Sequence, residues 1–333
     1  MIKLGLRRLE DYRPAPPDGP LARLRDHLNR DRVSYRLLHV SMPPSPAEVE
    51  LFEHIMRNLR LGSGVYRTTF RGRFHDFDRA IAPHLLDRFG SAAALRVEDW
   101  AASDCLTSAE WADPVFATFP NARLSASDLT LFLVEARLAS GDAFILERDG
   151  APLQYLRDPF VVTLNPPEPR SLPLNWLLAR RALEKLQSQG SAWKLPEEWL
   201  DSPSCELAMG GVVFRKISVI HPEAALLAHR DPRFSVKRHS AFHSLAAPVD
   251  VVRTMNIFNR AYFDAGRLAE GALAVWRSLR PGGVWIAGRT FQERPPAHDA
   301  TLFERTAAGF SAFHRVGKGS EIEPLAIEQR WTA

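Results

Sequence analysis

The spacing of apolar residues changes along the chain and divides it into three regions. Before residue 90, apolar positions recur every three to four residues, which is the spacing of one face of a helix. Prolines at positions 43, 44 and 46 separate two such stretches. We therefore predict that residues 1–90 form a helical cap or lid. The apolar positions concerned are Leu21, Leu24, Leu28, Val49, Phe52, Ile55, Met56 and Leu59.

From residue 95 onward, short apolar runs alternate with stretches of helical spacing. This alternation predicts a parallel sheet covered by helices on both faces. Two apolar runs around Ala308 and Gly309 predict a closing hairpin, which adds antiparallel strands. The predicted fold class for residues 91–333 is therefore α/β, with a mostly parallel sheet and a terminal antiparallel hairpin. The other strands are predicted at residues 95–97, 122–126, 216–220, 234–237, 249–255 and 284–288.

Residues 141–211 interrupt this alternation. Asp149 and Gly150 stand between two apolar runs, which is a strong signal of a β-hairpin, and a further apolar run follows. We predict that the segment is a β-rich insertion into the sheet domain. Its apolar side chains offer a wall for a substrate or the surface of a homodimer. They are Phe144, Ile145, Leu146, Leu153, Tyr155, Phe160 and Val161.

Composition narrows the class of protein. The 333 residues are 45% hydrophobic and 25% charged, which is typical of a globular protein. No apolar run is long enough to span a membrane, and the N-terminus has no apolar core of a signal peptide. The two cysteines, Cys105 and Cys205, make neither a disulfide framework nor a zinc site, and no histidine spacing indicates a metal. A cytoplasmic protein without a membrane span is expected.

The charge adds one alternative. The net charge is +4, and residues 3–36 hold nine Lys or Arg against five Asp or Glu. A basic leader could contact nucleic acid or an anionic surface. A charge run is more often a solvated helix face, so nucleic acid is not the expected partner.

Two acidic strand ends form the candidate ligand site. Asp99 follows the first strand of the sheet domain, and small residues stand at alternate positions between it and a helix. Ligands of open α/β sheets bind at the carboxyl ends of strands, where small residues let the backbone approach. Asp128 ends the next strand, where its carboxylate could accept both ribose hydroxyls or cap a helix beginning at Leu129. The small residues are Ala101, Ala102, Ser103 and Cys105.

A third pattern lies further along the chain. Asp250 opens an apolar strand that ends near Asn256, and an amphipathic helix follows. Residues 279–283, Leu-Arg-Pro-Gly-Gly, then lead into another apolar strand. Proline and glycine also serve simply to stop a helix and make a turn. The complete order of these features, at this distance from Asp99, is the specific signal.

Together these segments resemble the class I S-adenosylmethionine-dependent methyltransferases, over residues 95–316 apart from the insertion. The closest pattern is that of the receptor carboxyl methyltransferases of bacterial chemotaxis. The resemblance implies a Rossmann-like fold and a first motif in which an acid precedes three alternating glycines. Here alanine, serine and cysteine replace the three glycines. The residues that match the strand-end motif of the chemotaxis enzymes are spread out as Asn256, Asn259, Arg260, Tyr262 and Phe263.

The resemblance also implies a cofactor and a reaction. S-adenosylmethionine is the expected cofactor, and the methyl acceptor is expected to be a small molecule or a carboxylate or hydroxyl group. Phe242 is expected to stack on the purine, with core packing as the alternative. The substrate is expected to contact Tyr66, Arg73, Asn259 and Tyr262. The expected cofactor-binding residues are Asp99, Ala101, Ala102, Ser103, Cys105, Asp128, Leu129, Ser240, Phe242 and Asn256.

The catalytic group and two other functions stay open. Methyl transfer is an in-line displacement driven by the donor, so no particular catalytic residue is required; His239, His243 and Tyr262 are candidates for a base. The loss of the three motif glycines also permits a non-catalytic binding protein. Residues 165–167, Asn-Pro-Pro, resemble a motif of amino-group methyltransferases that act on bases or glutamine, but Glu168 stands where that motif has an aromatic residue. A nucleic-acid methyltransferase is therefore the third hypothesis.

Overall fold

The computed structural model describes residues 33–62, 67, 69–90, 94–157, 160–164, 173–188, 193–291 and 296–331. The chain divides into two compact units. One combines Met1–Thr69 with Thr130–Pro222, and the other combines Phe70–Leu129 with Glu223–Ala333. We call them the antiparallel unit and the parallel unit, after their sheets. Within the described ranges, no helix has both the length and the apolar character needed to cross a membrane.

Thirteen strands and eight α-helices are described, together with a 3₁₀ helix at Tyr35–Leu38. The strands are β1 (Arg96–Trp100), β2 (Arg123–Asp128), β3 (Phe132–Leu138), β4 (Ala143–Leu146), β5 (Pro152–Arg157), β6 (Phe160–Thr163), β7 (Glu206–Met209), β8 (Val212–Ser218), β9 (Phe234–Arg238), β10 (Val249–Met255), β11 (Leu279–Phe291), β12 (Ala297–Arg305) and β13 (Phe310–Val316). The helices are α1 (Pro46–Asn58), α2 (His75–Phe89), α3 (Leu106–Thr118), α4 (Pro173–Ser188), α5 (Glu197–Asp201), α6 (Pro222–Arg230), α7 (Ala265–Ser278) and α8 (Glu323–Glu328).

The antiparallel unit has a six-stranded sheet with apolar clusters on both faces. Its strand order is β6-β5-β4-β3-β8-β7, with every neighbouring pair antiparallel. Successive residues of a strand point to opposite faces. Leu133 of β3 therefore packs in one cluster with Phe52 of α1, and Val134 packs in the other with Trp199 of α5. A capping box between Ser45 and Glu48 starts α1.

The antiparallel sheet includes β3 and β8, which lie outside the predicted insertion at residues 141–211. The hairpin predicted around Asp149 and Gly150 is confirmed as β4–β5. The strand predicted at residues 216–220 is wrongly assigned to the parallel sheet, because it is the end of β8 and pairs antiparallel with β3. The spacing of residues predicts a strand but not its partner, and β3 lies about 80 residues earlier in the chain.

The parallel unit has a seven-stranded sheet in the order β13-β12-β11-β10-β1-β2-β9. The five adjacent strands β11, β10, β1, β2 and β9 are parallel, and β12 and β13 form the predicted antiparallel hairpin. The predicted α/β fold with a mostly parallel sheet is thus confirmed. Strand order reverses between β1 and β10, as at the switch point of doubly wound sheets, where ligands bind.

Two local predictions near this switch point are wrong. The strand predicted at residues 95–97 continues to Trp100, because the charges of Glu98 and Asp99 are compensated inside the fold by Lys237 and Arg253. No helix begins after Asp128, because the chain enters β3 instead. The alternative role of Asp128 as a helix cap is therefore excluded.

The apolar core of the parallel unit lies under α7. Asp264 caps this helix by accepting a hydrogen bond from the Arg267 backbone. Leu268 and Trp276 of α7 pack in one cluster with Val252 of β10 and Trp285 of β11. This half of the sheet face is covered by apolar packing.

Candidate functional site

The carboxyl ends of four parallel strands lie at one edge of the parallel unit. Asp99 of β1 is in register with Ala126 of β2 on one side and with Arg253 of β10 on the other. Asp128 of β2 is in register with Arg238 of β9. The two predicted acidic strand ends are therefore on adjacent strands, next to the switch point between β1 and β10.

The turn after β1 has an unusual backbone. Ala101, Ser103 and Cys105 have φ values of 56°, 59° and 65°, in the left-handed region that favours glycine. Among the described residues the only other non-glycine with such a φ is Asn256, at the end of β10, with φ 65°. Left-handed backbone costs a residue with a Cβ about 1–2 kcal/mol. The strain is thus concentrated at the two strand ends that flank the switch point, as is common at functional sites.

Hydrogen bonds to β2 hold this turn in place. The Ala102 N–H donates to the Ser127 carbonyl (2.9 Å), and the Ser103 N–H donates to Oδ2 of Asp128 (2.8 Å). Asp104 accepts from the Leu106 N–H (3.1 Å) at the start of α3. Alternating left-handed residues turn successive backbone N–H groups to one side, which favours a negatively charged partner. Here one of these groups, the Ser103 N–H, meets the carboxylate of Asp128.

A buried ion-pair group lies beneath the turn. Arg253, in the middle of apolar β10, donates through Nε and Nη2 to the two carboxylate oxygens of Asp99 (3.0 and 2.6 Å). Its Nη1 donates to Oδ1 of Asp78 on α2 (2.8 Å), and Ser108 Oγ also donates to Asp99 (2.6 Å). The guanidinium stacks 3.9 Å from the ring centre of Trp111. Both oxygens of Asp99 are therefore engaged by the protein itself.

The charges in this group do not balance if every member is ionised. Arg253 is fully buried, and Asp78 and Asp99 are 7% and 5% exposed in their side chains. Burial raises the pKa of Asp78 to about 7, even though Arg253 acts in the opposite direction. Burial alone would lower the pKa of Arg253, but the two carboxylates together raise it. One guanidinium thus compensates one full carboxylate charge and part of a second.

Arg253 is a functional residue that the sequence motifs did not indicate. An arginine inside the apolar run Val-Asp-Val-Val-Arg-Thr-Met is itself a signal, because a buried arginine needs an acidic partner. The partners Asp78 and Asp99 lie 175 and 154 residues away in the chain. Such distances leave no local pattern from which the pairing could be predicted.

His239 adds a neutral nitrogen to the strand-end edge. Its backbone N–H donates to the Asp128 carbonyl (3.2 Å), and its ring centre lies 4.6 Å from that of Trp100. Burial first, and then the charge of Lys237, lower the pKa of His239 to about 4. The imidazole is therefore neutral at pH 7. Its Nε2 is buried and has no hydrogen-bond partner within the described ranges.

Several predicted cofactor residues are occupied by contacts within the protein. Phe242 packs against Phe258 and Phe263, and the Arg267 guanidinium lies 3.9 Å from its ring centre. Ser240 Oγ accepts from the Phe242 N–H (3.3 Å). Asn256 Oδ1 accepts from the Thr290 N–H (2.7 Å). Leu129, by contrast, is 55% exposed.

The predicted substrate residues have different environments. Tyr262 is 54% exposed, whereas Asn259 is buried and its Oδ1 accepts from the Ala261 N–H (3.1 Å). Arg73 lies near the rings of Phe70 and Phe74, and burial lowers its pKa while Asp104 acts in the opposite direction. Tyr66 and residues 165–168 lie outside the described residues.

Comparisons with known proteins give weak likenesses only. No family model and no curated protein matches the sequence. Among solved structures, the E. coli protein YjhP matches with 10% identity and a TM-score of 0.28, over 73% of this chain and 56% of that chain. CalS10, an amino pentose methyltransferase from Micromonospora echinaspora with S-adenosylmethionine bound, matches with 12% identity and a TM-score of 0.29, over 75% and 79%. The S-adenosylmethionine-dependent methyltransferase SibL matches with 10% identity and a TM-score of 0.26, over 67% and 39%.

The matched region spans about half the length of the E. coli protein. The α/β architecture rests on the strand order and pairing of the chain itself.

Proposed function

We propose that the parallel unit binds S-adenosylmethionine at the carboxyl ends of β1, β2 and β9, and transfers its methyl group to a small molecule or to a carboxylate or hydroxyl acceptor. The observation that supports this most directly is the strained turn at residues 101–105, tied to the carboxylate of Asp128. A protein retains left-handed backbone at three non-glycine positions when the geometry of the turn serves a purpose.

The residues at this edge fit a nucleoside-type ligand. A carboxylate has about four acceptor sites, so Asp128 can serve the Ser103 N–H and still accept ribose hydroxyls. The imidazole of His239, which packs on the buried ring of Trp100, offers a neutral polar nitrogen beside it. Asp99 differs from the role implied by the family resemblance, because Arg253 and Ser108 engage both its oxygens. We assign it to holding β1 against β10.

The cofactor supplies a methyl group on a sulfonium, and the protein aligns the acceptor and excludes water. With a pKa of about 4, His239 is a weak base at neutral pH and serves better as a hydrogen-bond partner. A carboxylate acceptor is already nucleophilic at neutral pH and needs no base. The arrangement therefore supports a carboxylate acceptor more than a hydroxyl acceptor.

Calorimetric titration with S-adenosylmethionine and S-adenosylhomocysteine tests the proposal. We expect binding in the micromolar range, and at least tenfold weaker binding by Asp128→Ala, because the variant loses the ribose acceptor and the anchor of the turn. Asp128→Asn keeps an acceptor for the Ser103 N–H and separates these two effects. Asp87→Ala, at an exposed position of α2, is the matched control. Unchanged affinity in Asp128→Ala would remove the assigned role.

A non-catalytic binding protein is the second candidate. It is favoured by the Cβ atoms of Ala101, Ser103 and Cys105 at positions where the related motif has glycines, and by the engagement of Asp99 in an internal ion pair. The titration distinguishes the two, because a chain with no affinity for either nucleoside up to millimolar concentration cannot be a methyltransferase of this type.

A further inference from the structure

A polar groove crosses one face of the parallel unit. Its volume is about 270 Å³, and it lies over β1, β2 and β9. Alternate residues of the three strands line it, beginning with the first residues of β1 and β2. β1 is five residues long, so its first residue lies about 13 Å along the strand from Trp100. The lining residues that matter here are Arg96, Glu98, Arg123, Ser125, Ser235 and Lys237.

The groove continues a sheet face whose other half is apolar. Glu98 of β1 is in register with Val252 of β10, so both point to the same face. Val252 packs with residues of α7 in the apolar core, whereas Arg96, Arg123 and Ser235 are exposed. The connection from β9 to β10, residues 239–248, contains no helix. Parallel strands are normally covered on both faces, so a solvent-exposed polar half is unusual.

The cations in the groove outnumber its acids. Lys237 Nζ lies 2.6 Å from Glu98 Oε1, and these two charges compensate each other. Arg233, at the rim, is paired with Asp231 (2.6 Å). Arg96 and Arg123 are the remaining cations that line the groove.

These two arginines face each other across neighbouring strands. Their positions are in register, and both line the groove. Like charges directly opposite on a sheet destabilise it. A ligand with a negative charge between the two guanidiniums would turn this repulsion into attraction, and paired guanidiniums match the oxygens of a phosphate.

The floor of the groove offers groups for hydrogen bonding. Ser125 Oγ and Ser235 Oγ lie 2.9 Å apart and can both donate and accept. Glu98 Oε2 is buried and no described donor meets full hydrogen-bond geometry with it, although the indole of Trp100 is close enough to lower the pKa of Glu98. Burial raises the pKa of Glu98, while Lys237 and Arg96 act in the opposite direction. A ligand hydroxyl or amino group would satisfy this oxygen.

We propose that the groove binds a small phosphate ester that carries hydroxyl or amino groups, with Arg96 and Arg123 holding the phosphate and Glu98 and the two serines holding the donors. The volume is just below that of sites for drug-sized ligands, which favours a small compound over a polymer. The arginine end of the groove lies about 13 Å along β1 from Trp100, whereas Glu98 and Lys237 at its other end adjoin the proposed cofactor site.

Titration of the full chain with inorganic phosphate and with glycerol phosphate, at constant ionic strength set by sodium chloride, tests the proposal. We expect both probes to bind and to raise the thermal midpoint. Glycerol phosphate should bind more tightly, because its hydroxyls reach Glu98 and the serines. Arg96→Gln and Arg123→Gln should each weaken binding at least tenfold. Arg277→Gln, at an exposed position of α7, should leave it unchanged.

A second readout needs no ligand. In phosphate-free buffer of low salt, Arg123→Gln should raise the thermal midpoint slightly, because it removes the repulsion from Arg96. The proposal is overturned if phosphate binds all variants equally or does not bind the parent chain. It is also overturned if a duplex oligonucleotide binds in a salt-dependent manner while both phosphate probes fail, since that result assigns the arginines to nucleic acid.

Discussion

Replacing Asp78 with asparagine tests how charge is distributed in the buried group formed by Asp78, Asp99 and Arg253. Asparagine has nearly the same shape, remains neutral, and keeps an oxygen to accept the hydrogen bond from Arg253 Nη1. Only the ability to ionise is removed. The variant therefore isolates the contribution of one titration to the stability of the protein.

The magnitude follows from the pKa of Asp78. Its ordinary value is 3.8, and burial raises it to about 7 in the folded protein. The folded state therefore holds the proton more tightly than the unfolded state. The stability from this group is fully present below pH 3.8 and is lost as the pH rises toward 7. One pKa unit corresponds to about 1.4 kcal/mol, so the loss between pH 5 and pH 7 is about 2 kcal/mol.

Urea denaturation of the parent chain and of Asp78→Asn at pH 5, 6, 7 and 8 measures this difference. We expect the stability of the variant, relative to the parent, to increase by about 2 kcal/mol from pH 5 to pH 7 and to change little above that. Asp87→Asn on the same helix is the control, because its side chain is exposed and its curve should remain parallel to that of the parent.

Two results would refute the reasoning. The first is a pH profile of Asp78→Asn that runs parallel to the parent profile, which would mean that the carboxyl does not titrate in this range. The second is a loss of about 3–5 kcal/mol at pH 5, the cost of breaking a buried ion pair, which would mean that Asp78 is already an ionised partner of Arg253 at a pH where the reasoning has it protonated.

Three further predictions concern stability and are checked by the same denaturation measurements. Arg253→Met should lower the free energy of unfolding by about 3–5 kcal/mol, because it leaves the Asp99 carboxylate buried without its cation. Adding Asp99→Asn should recover part of the loss. A loss below about 1 kcal/mol would contradict the buried pair. Ala101→Gly should raise the free energy of unfolding by up to about 1 kcal/mol, since the left-handed strain of about 1–2 kcal/mol exceeds the entropic cost of glycine of about 0.5–1 kcal/mol. A lower free energy of unfolding would argue against a left-handed backbone at Ala101. Gly271→Ala should lower the free energy of unfolding by about 1–3 kcal/mol, because a Cβ at this position of α7 would clash with the ring of Phe258. An unchanged free energy of unfolding would show that the ring can move.

Local patterns in the sequence were sufficient for several of the elements and for the class of the fold. The runs that became β2, β9, β10 and the β12–β13 hairpin are recognisable because strand and helix have different side-chain periods, which depend on residues a few positions apart. The same holds for the hairpin at Asp149 and Gly150, whose turn chemistry is local. The succession of small residues after Asp99 was likewise visible as a candidate ligand turn.

Only the tertiary structure decided which of these elements are partners. β8 looks like a strand of the parallel sheet, but β3 pairs with it and places it in the antiparallel unit. The carboxylate of Asp99 looks available to a ligand, but an arginine 154 residues away occupies it. The left-handed backbone at Ala101, Ser103 and Cys105 is not favoured by any of these residues and persists because contacts with β2 hold it. Local propensity is set within a few residues, whereas pairing, burial of charge and strain depend on contacts that form only when distant segments meet.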